Sequence, residues 1–245
     1  PLLTKTKIVA TIGPASSSPE ALHDLLAAGV DVVRLNFAHG SHEDKARIVA
    51  DVRRIAAELG QSVGILGDLS GPKIRLGELP AEGLQIRAGE RYAFIRGDKP
   101  GIEHELTASY AGLLDDLQIG NGVRLADGAV TLRVCELSPD RAVCEVVQPG
   151  RVFSRQGINL PGAKLRIASV TKKDQADLEW ALEQRLDYIG LSFVRSADDI
   201  RHLRSLIDAA EPQVRPWIVA KIEKPEALAE LDAILDATYL AMVAR

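Results

Sequence analysis

Cysteine is scarce in this chain, with two in 245 residues, and no Cys/His spacing of the zinc type occurs. Cys135 and Cys144 flank Ser138-Pro139-Asp140-Arg141, a turn that sets them to face each other across a hairpin, and they read as reduced packing residues. His39 and His42 are too few and too loop-bound to argue for a transition metal. No apolar run approaches the roughly 20 residues a membrane span requires. The opening Pro1-Leu2-Leu3-Thr4-Lys5 lacks the apolar stretch of a secretory leader, so a cytoplasmic location is expected. Nor is there a Lys/Arg-rich stripe. With a net charge of −4 the chain has no electrostatic footprint for nucleic acid, although a local basic pocket for a small anionic substrate is compatible with it. The composition, 46% hydrophobic and 26% charged, is that of a soluble globular protein.

What the chain does have is apolar runs that stop in polar groups. Trp217 to Glu223 ends in Lys221 and Glu223, two residues apart and therefore on one face of a strand. Asp31 to Asn36 ends likewise in Arg34 and Asn36, and Ser62 to Asp68 ends in a carboxylate. Continuous apolar strands belong to parallel sheets covered by helices, where ligands bind beyond the carboxyl ends. Those ends are the expected site of an enzyme.

Strand and helix patterns alternate: strand 7–12, helix from the Ser18 cap to Ala28 with a stop at Gly29, strand 31–37, helix 41–59 with a stop at Gly60, strand 63–66. From about Gly71 to Lys164 the rhythm gives way to glycine-punctuated, period-two runs, including 90–96, 122–125, 130–134 and 142–147. This segment is expected to be a small inserted β domain. The alternation then resumes with helix 172–184, strand 187–193, helix 197–210, strand 217–222, helix 225–235 and strand 239–244, Thr171 and Ser196 serving as caps. Without the insertion roughly 150 residues and about six strands remain, against roughly 250 residues for a closed eight-stranded barrel. The expected fold is α/β, an incomplete (β/α)₈ TIM barrel divided into 1–70 and 165–245 around an inserted small β-barrel domain at 71–164.

The ordered set Thr6-Lys7-Ile8-Val9-Ala10-Thr11-Ile12-Gly13-Pro14-Ala15-Ser16, Val33-Arg34-Leu35-Asn36-Phe37-Ala38-His39-Gly40, Asp68-Leu69-Ser70-Gly71-Pro72-Lys73-Ile74-Arg75, Asn159-Leu160-Pro161-Gly162, Leu191-Ser192-Phe193-Val194-Arg195 and Lys221-Ile222-Glu223 resembles the pyruvate kinase family. The resemblance spans essentially the whole chain. It implies phosphoryl transfer from phosphoenolpyruvate to ADP, with the insertion as a mobile lid over a barrel-top site. Such chemistry needs positioning and charge neutralisation. By resemblance Lys221 lies beside the transferring phosphoryl group and the enolate oxygen, Arg34 and Arg75 hold phosphate oxygens, and Glu223 ligates Mg²⁺ (or Mn²⁺). Asn36 and Asp68 match a monovalent-cation pocket, His39 the loop facing the nucleotide, Asp127 the inserted domain's acidic contribution, and Ser192 a position near the phosphate. Ala38 and Leu69 stand where potassium-requiring members have Ser and Thr, and Lys73 where they have Glu. The resemblance thus implies independence of K⁺, the Lys73 ammonium replacing the ion's charge. It also implies a homotetramer, and further chain beyond Arg245 carrying Gly-Asp-Leu-Gly and a second metal-binding carboxylate. Tyr239-Leu240 departs from the family's Asp-Gly, and Gln184-Arg185-Leu186 lacks the usual Gly, so a strained helix stop is expected there.

Bland readings stand beside these. A lone Lys-x-Glu at a strand end is ordinarily a surface ion pair, and Arg34 is also a natural buried partner of Asp68. The functional alternative to the enzyme is an inactive fragment or non-catalytic descendant that binds a phosphorylated ligand or a partner subunit. Residues 1–245 alone are expected to be inactive.

Overall fold

A computed structural model describes residues 5–97, 103–163 and 165–243. The expected boundary residue Lys164, the strand end Ala244, the terminal Arg245 and the first four residues lie outside them. The chain divides into two compact units: the stretch up to Pro72 joined with that from Ser169 onward, and Lys73–Ala168.

The first unit is built on a six-stranded parallel sheet. Its strands, in spatial as well as chain order, are β1 (Val9–Thr11), β2 (Val32–Asn36), β3 (Gly64–Leu69), β4 (Tyr188–Leu191), β5 (Trp217–Ile222) and β6 (Leu240–Val243). Between them run helices α1 (Pro19–Ala27), α2 (His42–Glu58), α3 (Lys172–Glu183), α4 (Ala197–Ala209) and a pair, α5 (Pro225–Ala229) and α6 (Leu231–Ala237). Ser18, Ser41 and Thr171 each accept a hydrogen bond from the third helical N–H, which starts α1, α2 and α3 at the residues that follow them. The last helix is expected as one piece, yet Glu230 leaves helical geometry at φ −111°, ψ 14° and splits it. Strand β3 runs three residues beyond the expected Leu66, which carries Asp68 into the ladder.

Both faces of the inner strands β3 and β5 are covered, whereas the edge strands β1 and β6 are partly exposed. Ile218 to Ile222 are all buried, as are Ile65 to Leu69, and they pack with Leu22, Val52, Ile55, Ile200 and Leu203 from the helices. The register aligns Thr11 with Arg34, Asn36 with Asp68, and Asp68 with Gly190. Polar residues at the C-terminal ends of separate strands are thereby brought side by side.

The second unit holds a six-stranded sheet and a two-stranded one around its own apolar core, which includes Ile86, Tyr92, Phe94, Leu125 and Leu132. The hairpin Val130–Ser138 with Arg141–Gln148 carries a bulge at Cys135, so Cys144 faces Val134 instead of Cys135, and both thiols are free. No helix among the described residues is long and apolar enough to cross a membrane.

Candidate active site

Asp68 is the hub of the strand-end cluster in the first unit. Its side chain is almost wholly buried, and its Oδ2 accepts from Arg34 Nε at 2.8 Å, from Arg34 Nη2, and from Lys221 Nζ at 3.2 Å. Arg34 is further held by Thr11 Oγ1, which accepts from Nη1 at 2.8 Å. The Lys221 ammonium, also buried, donates to Ser192 Oγ at 2.8 Å and lies 3.3 Å from Glu223 Oε1. Ser192 in turn donates to the Leu69 carbonyl at 2.7 Å. Two fixed cations thus meet two carboxylates at the mouth of the sheet. A buried lysine with three oxygen neighbours is a charge held in place, and a fixed charge needs no reorganisation when a substrate charge grows beside it.

Glu223 is oriented from its other side. Phe193 N–H donates to Glu223 Oε2 at 2.8 Å, and to reach that geometry Phe193 takes φ 58°, a left-handed conformation that a bulky residue rarely adopts. Nothing in the residue type announces this, and its only sequence signal is the place next to Ser192 at a strand end. The neighbouring turn depends on Gly71, at φ +65°, where a Cβ would come within 3.0 Å of the Ser192 carbonyl. Gly71 N–H donates to the buried Asp174 at 3.1 Å. Lys224 lies over the Phe193 ring at 5.3 Å, and burial lowers its ammonium below the usual range despite Glu226 and Glu223.

Of the other expected site residues in this unit, Asn36 accepts from Ala38 N–H at 2.9 Å and so shapes the start of the loop that presents His39. His39 itself is exposed. Arg75, Asp127 and Lys73 belong to the second unit, where they line one cavity of about 300 Å³ together with Ser154, Arg155 and Gly157. Asp127 and Arg155 both take positive φ there, 54° and 63°. Arg75 donates to the Arg155 carbonyl at 3.0 Å, which ties the guanidinium to this cavity's wall. The expected residues therefore gather as two clusters, Arg34, Asn36, Asp68, Ser192, Lys221 and Glu223 in one unit and Lys73, Arg75 and Asp127 in the other.

Comparison with known proteins gives a consistent picture. Residues 3–245 match the family model described as pyruvate kinase, barrel domain. A pyruvate kinase of Agrobacterium vitis is 42% identical over 98% of this chain and 50% of its own length. One of Thermococcus litoralis is 38% identical over 98% of the chain and 50% of its length, and one of Geobacillus stearothermophilus 37% over 98% and 41%. Among solved structures, a pyruvate kinase from Cryptosporidium parvum superposes with a TM-score of 0.89 at 34% identity, covering 98% of this chain and 50% of that one. The chain spans about half the length, or less, of the relatives it matches.

Proposed function

Because the chain belongs to the pyruvate kinase family, we propose that it carries most of the machinery for moving a phosphoryl group from phosphoenolpyruvate to ADP, giving pyruvate and ATP. The observation that carries this reading is the Lys221 ammonium, buried at a strand end between Asp68, Ser192 and Glu223. The six parallel strands are read as part of an incomplete (β/α)₈ barrel, and the Lys73–Ala168 unit as the inserted lid domain, whose Lys73, Arg75 and Asp127 serve the same chemistry.

In the reaction the bond from phosphorus to the enol oxygen breaks while one forms to a terminal phosphate oxygen of ADP. The electron pair left on the enol oxygen makes an enolate, which takes a proton at carbon to become pyruvate. Lys221 stabilises that oxygen and the phosphoryl group in transit, since both gain or spread negative charge at the transition state. Arg34 presents a planar fork suited to phosphate oxygens, and Asp68 aims it. Glu223 suits Mg²⁺ or Mn²⁺: it is a largely buried, oriented carboxylate with lone pairs to spare, and a small hard cation is commonly held by one or two carboxylates plus substrate oxygens and water. When bound, the ion neutralises charge on the phosphoryl oxygens. Asn36 and Asp68 match a monovalent-cation pocket, and the pattern Ala38, Leu69 and Lys73 is read as that of members independent of K⁺. His39 and Ser192 contact the nucleotide side and the phosphate. A cytoplasmic homotetramer belongs to the same reading.

A second reading is binding of a phosphorylated ligand without turnover, since the Arg34 fork and the Lys221 ammonium suit phosphate oxygens whether or not the group is then transferred. Phosphorus NMR of phosphoenolpyruvate, ADP and Mg²⁺ with the protein that carries this chain separates the two. ATP and pyruvate in equal amounts support transfer. Phosphoenolpyruvate that binds but persists supports the second reading.

A further inference from the structure

Beside the strand-end cluster, in the same unit, a second set of charges is spent on a backbone. The loop from Phe37 to Ser41 joins β2 to α2 and presents exposed His39. Lys45 Nζ donates to the His39 carbonyl and, at 3.0 Å, to that of Gly40. Lys173 Nζ, from α3, donates to the Phe37 carbonyl at 2.7 Å and to Asp177 Oδ2 at 2.5 Å. Asp177 also faces His42 Nε2 at 2.7 Å, and the His42 ring stacks on Trp180 with centroids 5.1 Å apart. Two ammonium groups therefore clamp three carbonyls of one loop, those of Phe37, His39 and Gly40, with the Asp177 carboxylate against Lys173 and both Asp177 and Asp44 acting on Lys45.

Lys45 is the costly member. It is 5% exposed, lies 5.6 Å from the centre of the Phe37 ring, and finds its hydrogen-bond partners in neutral carbonyls. Lysine is almost never so buried without a paired charge, and burial pulls its ammonium below the usual range while Asp177 partly restores it. A methionine of similar length would pack there without that cost. An ammonium differs in having three donors and a net charge, and both act on the loop.

We propose that Lys45 is a positioning residue for the nucleotide, fixing the backbone on which His39 stands and placing a buried positive charge behind the loop that faces ADP. The proposal rests on the phosphoryl-transfer reading. Lys173 is the second anchor of the same loop, and Asp177 keeps Lys173 and His42 in register.

The test compares the parent protein with Lys45→Met, Lys45→Arg and Lys173→Met. Readouts are hydrogen exchange of the peptide covering residues 37–41, and KM for ADP and for phosphoenolpyruvate alongside kcat. Loss of a charge-assisted bond predicts that Lys45→Met speeds loop exchange and raises KM for ADP, each about tenfold, with kcat and KM for phosphoenolpyruvate within about twofold. Lys45→Arg restores most of the ADP affinity, and Lys173→Met, at a more exposed side chain, gives a smaller change in the same direction. Equal losses in both substrates, or faster exchange with unaltered KM for ADP, overturn the proposal and leave the transfer reading intact. A parent protein that neither binds ADP nor makes ATP overturns both.

Discussion

Replacing Asp68 with asparagine tests whether the strand-end cluster is one electrostatic unit. Asp68 has 3% of its side chain exposed and serves two cations, Lys221 at 8% and Arg34 at 24% exposure. Removing one partner of a buried pair costs about 3–5 kcal/mol, because the remaining charge stays desolvated. Arg34 is near enough to water to recover part of its hydration, and Lys221 keeps Ser192 and Glu223, so the lower end, about 3 kcal/mol, applies. Asparagine preserves the volume but turns one acceptor into a donor facing two cations. For a domain of 150–250 residues the loss corresponds to a Tm lower by about 6–12 °C. Urea unfolding followed by circular dichroism gives the same quantity if the slope m is unchanged. A loss under about 1 kcal/mol, no more than an exposed control such as Asp198→Asn, would show that Asp68 is not the shared counter-charge.

Gly190 lies opposite Asp68 in the ladder, and a Cβ there would meet Asp68 Oδ1 at 2.9 Å, so Gly190→Ala should lower both Tm and turnover, whereas Gly89→Ala, in open space at φ +78°, should cost some stability through backbone strain and leave turnover alone. In the second unit Tyr92 and Tyr110 are pushed up to about 12, mainly by burial and then by bonds to Glu90 and Asp116. The folded state thus holds these protons more tightly than the unfolded one, so stability is full below pH 10 and falls between 10 and about 12. Absorbance titration should show two late phenols, and stability rising across that range would contradict the sign. Turnover should be equal in sodium-free, potassium-free buffer with and without added KCl, since the Ala38 and Leu69 side chains lack oxygen ligands and Lys73 brings its own charge; a large activation by KCl would overturn that.

Much of the scaffold is legible because its signals are local. The Ser18, Ser41 and Thr171 caps sit one residue before their helices, and β5 begins and ends where the apolar run does. The missing glycine after α3 also reads true: Arg185 takes φ 53° to close the turn, and Arg53 donates to the carbonyls of Gln184 and Arg185. The break at Glu230 is not legible, since Ala229-Glu230-Leu231 is good helix sequence and tertiary packing overrides it. Nor is the bulge that moves Cys135 out of line with Cys144. At the site, residue types at strand ends name the players, and β-strand periodicity puts Lys221 and Glu223 on one face. Their pairing is set by inter-strand register, which sequence does not display: Arg34 and Lys221 converge on one oxygen of Asp68, so the bland pairing of Arg34 with Asp68 and the functional cluster are the same contact. Phe193 and Lys45 escape notice because their parts are played through backbone groups.

Lys221→Met tests most directly whether the buried ammonium drives phosphoryl transfer, because it removes the charge and keeps the length of the side chain. The measurement is ATP formation from phosphoenolpyruvate and ADP with Mg²⁺, paired with phosphoenolpyruvate affinity, in the protein that carries this chain. Turnover should fall by several orders of magnitude while phosphoenolpyruvate binding stays within a few fold, the signature of an interaction made mainly in the transition state. Near-normal turnover in the variant would contradict that role of Lys221.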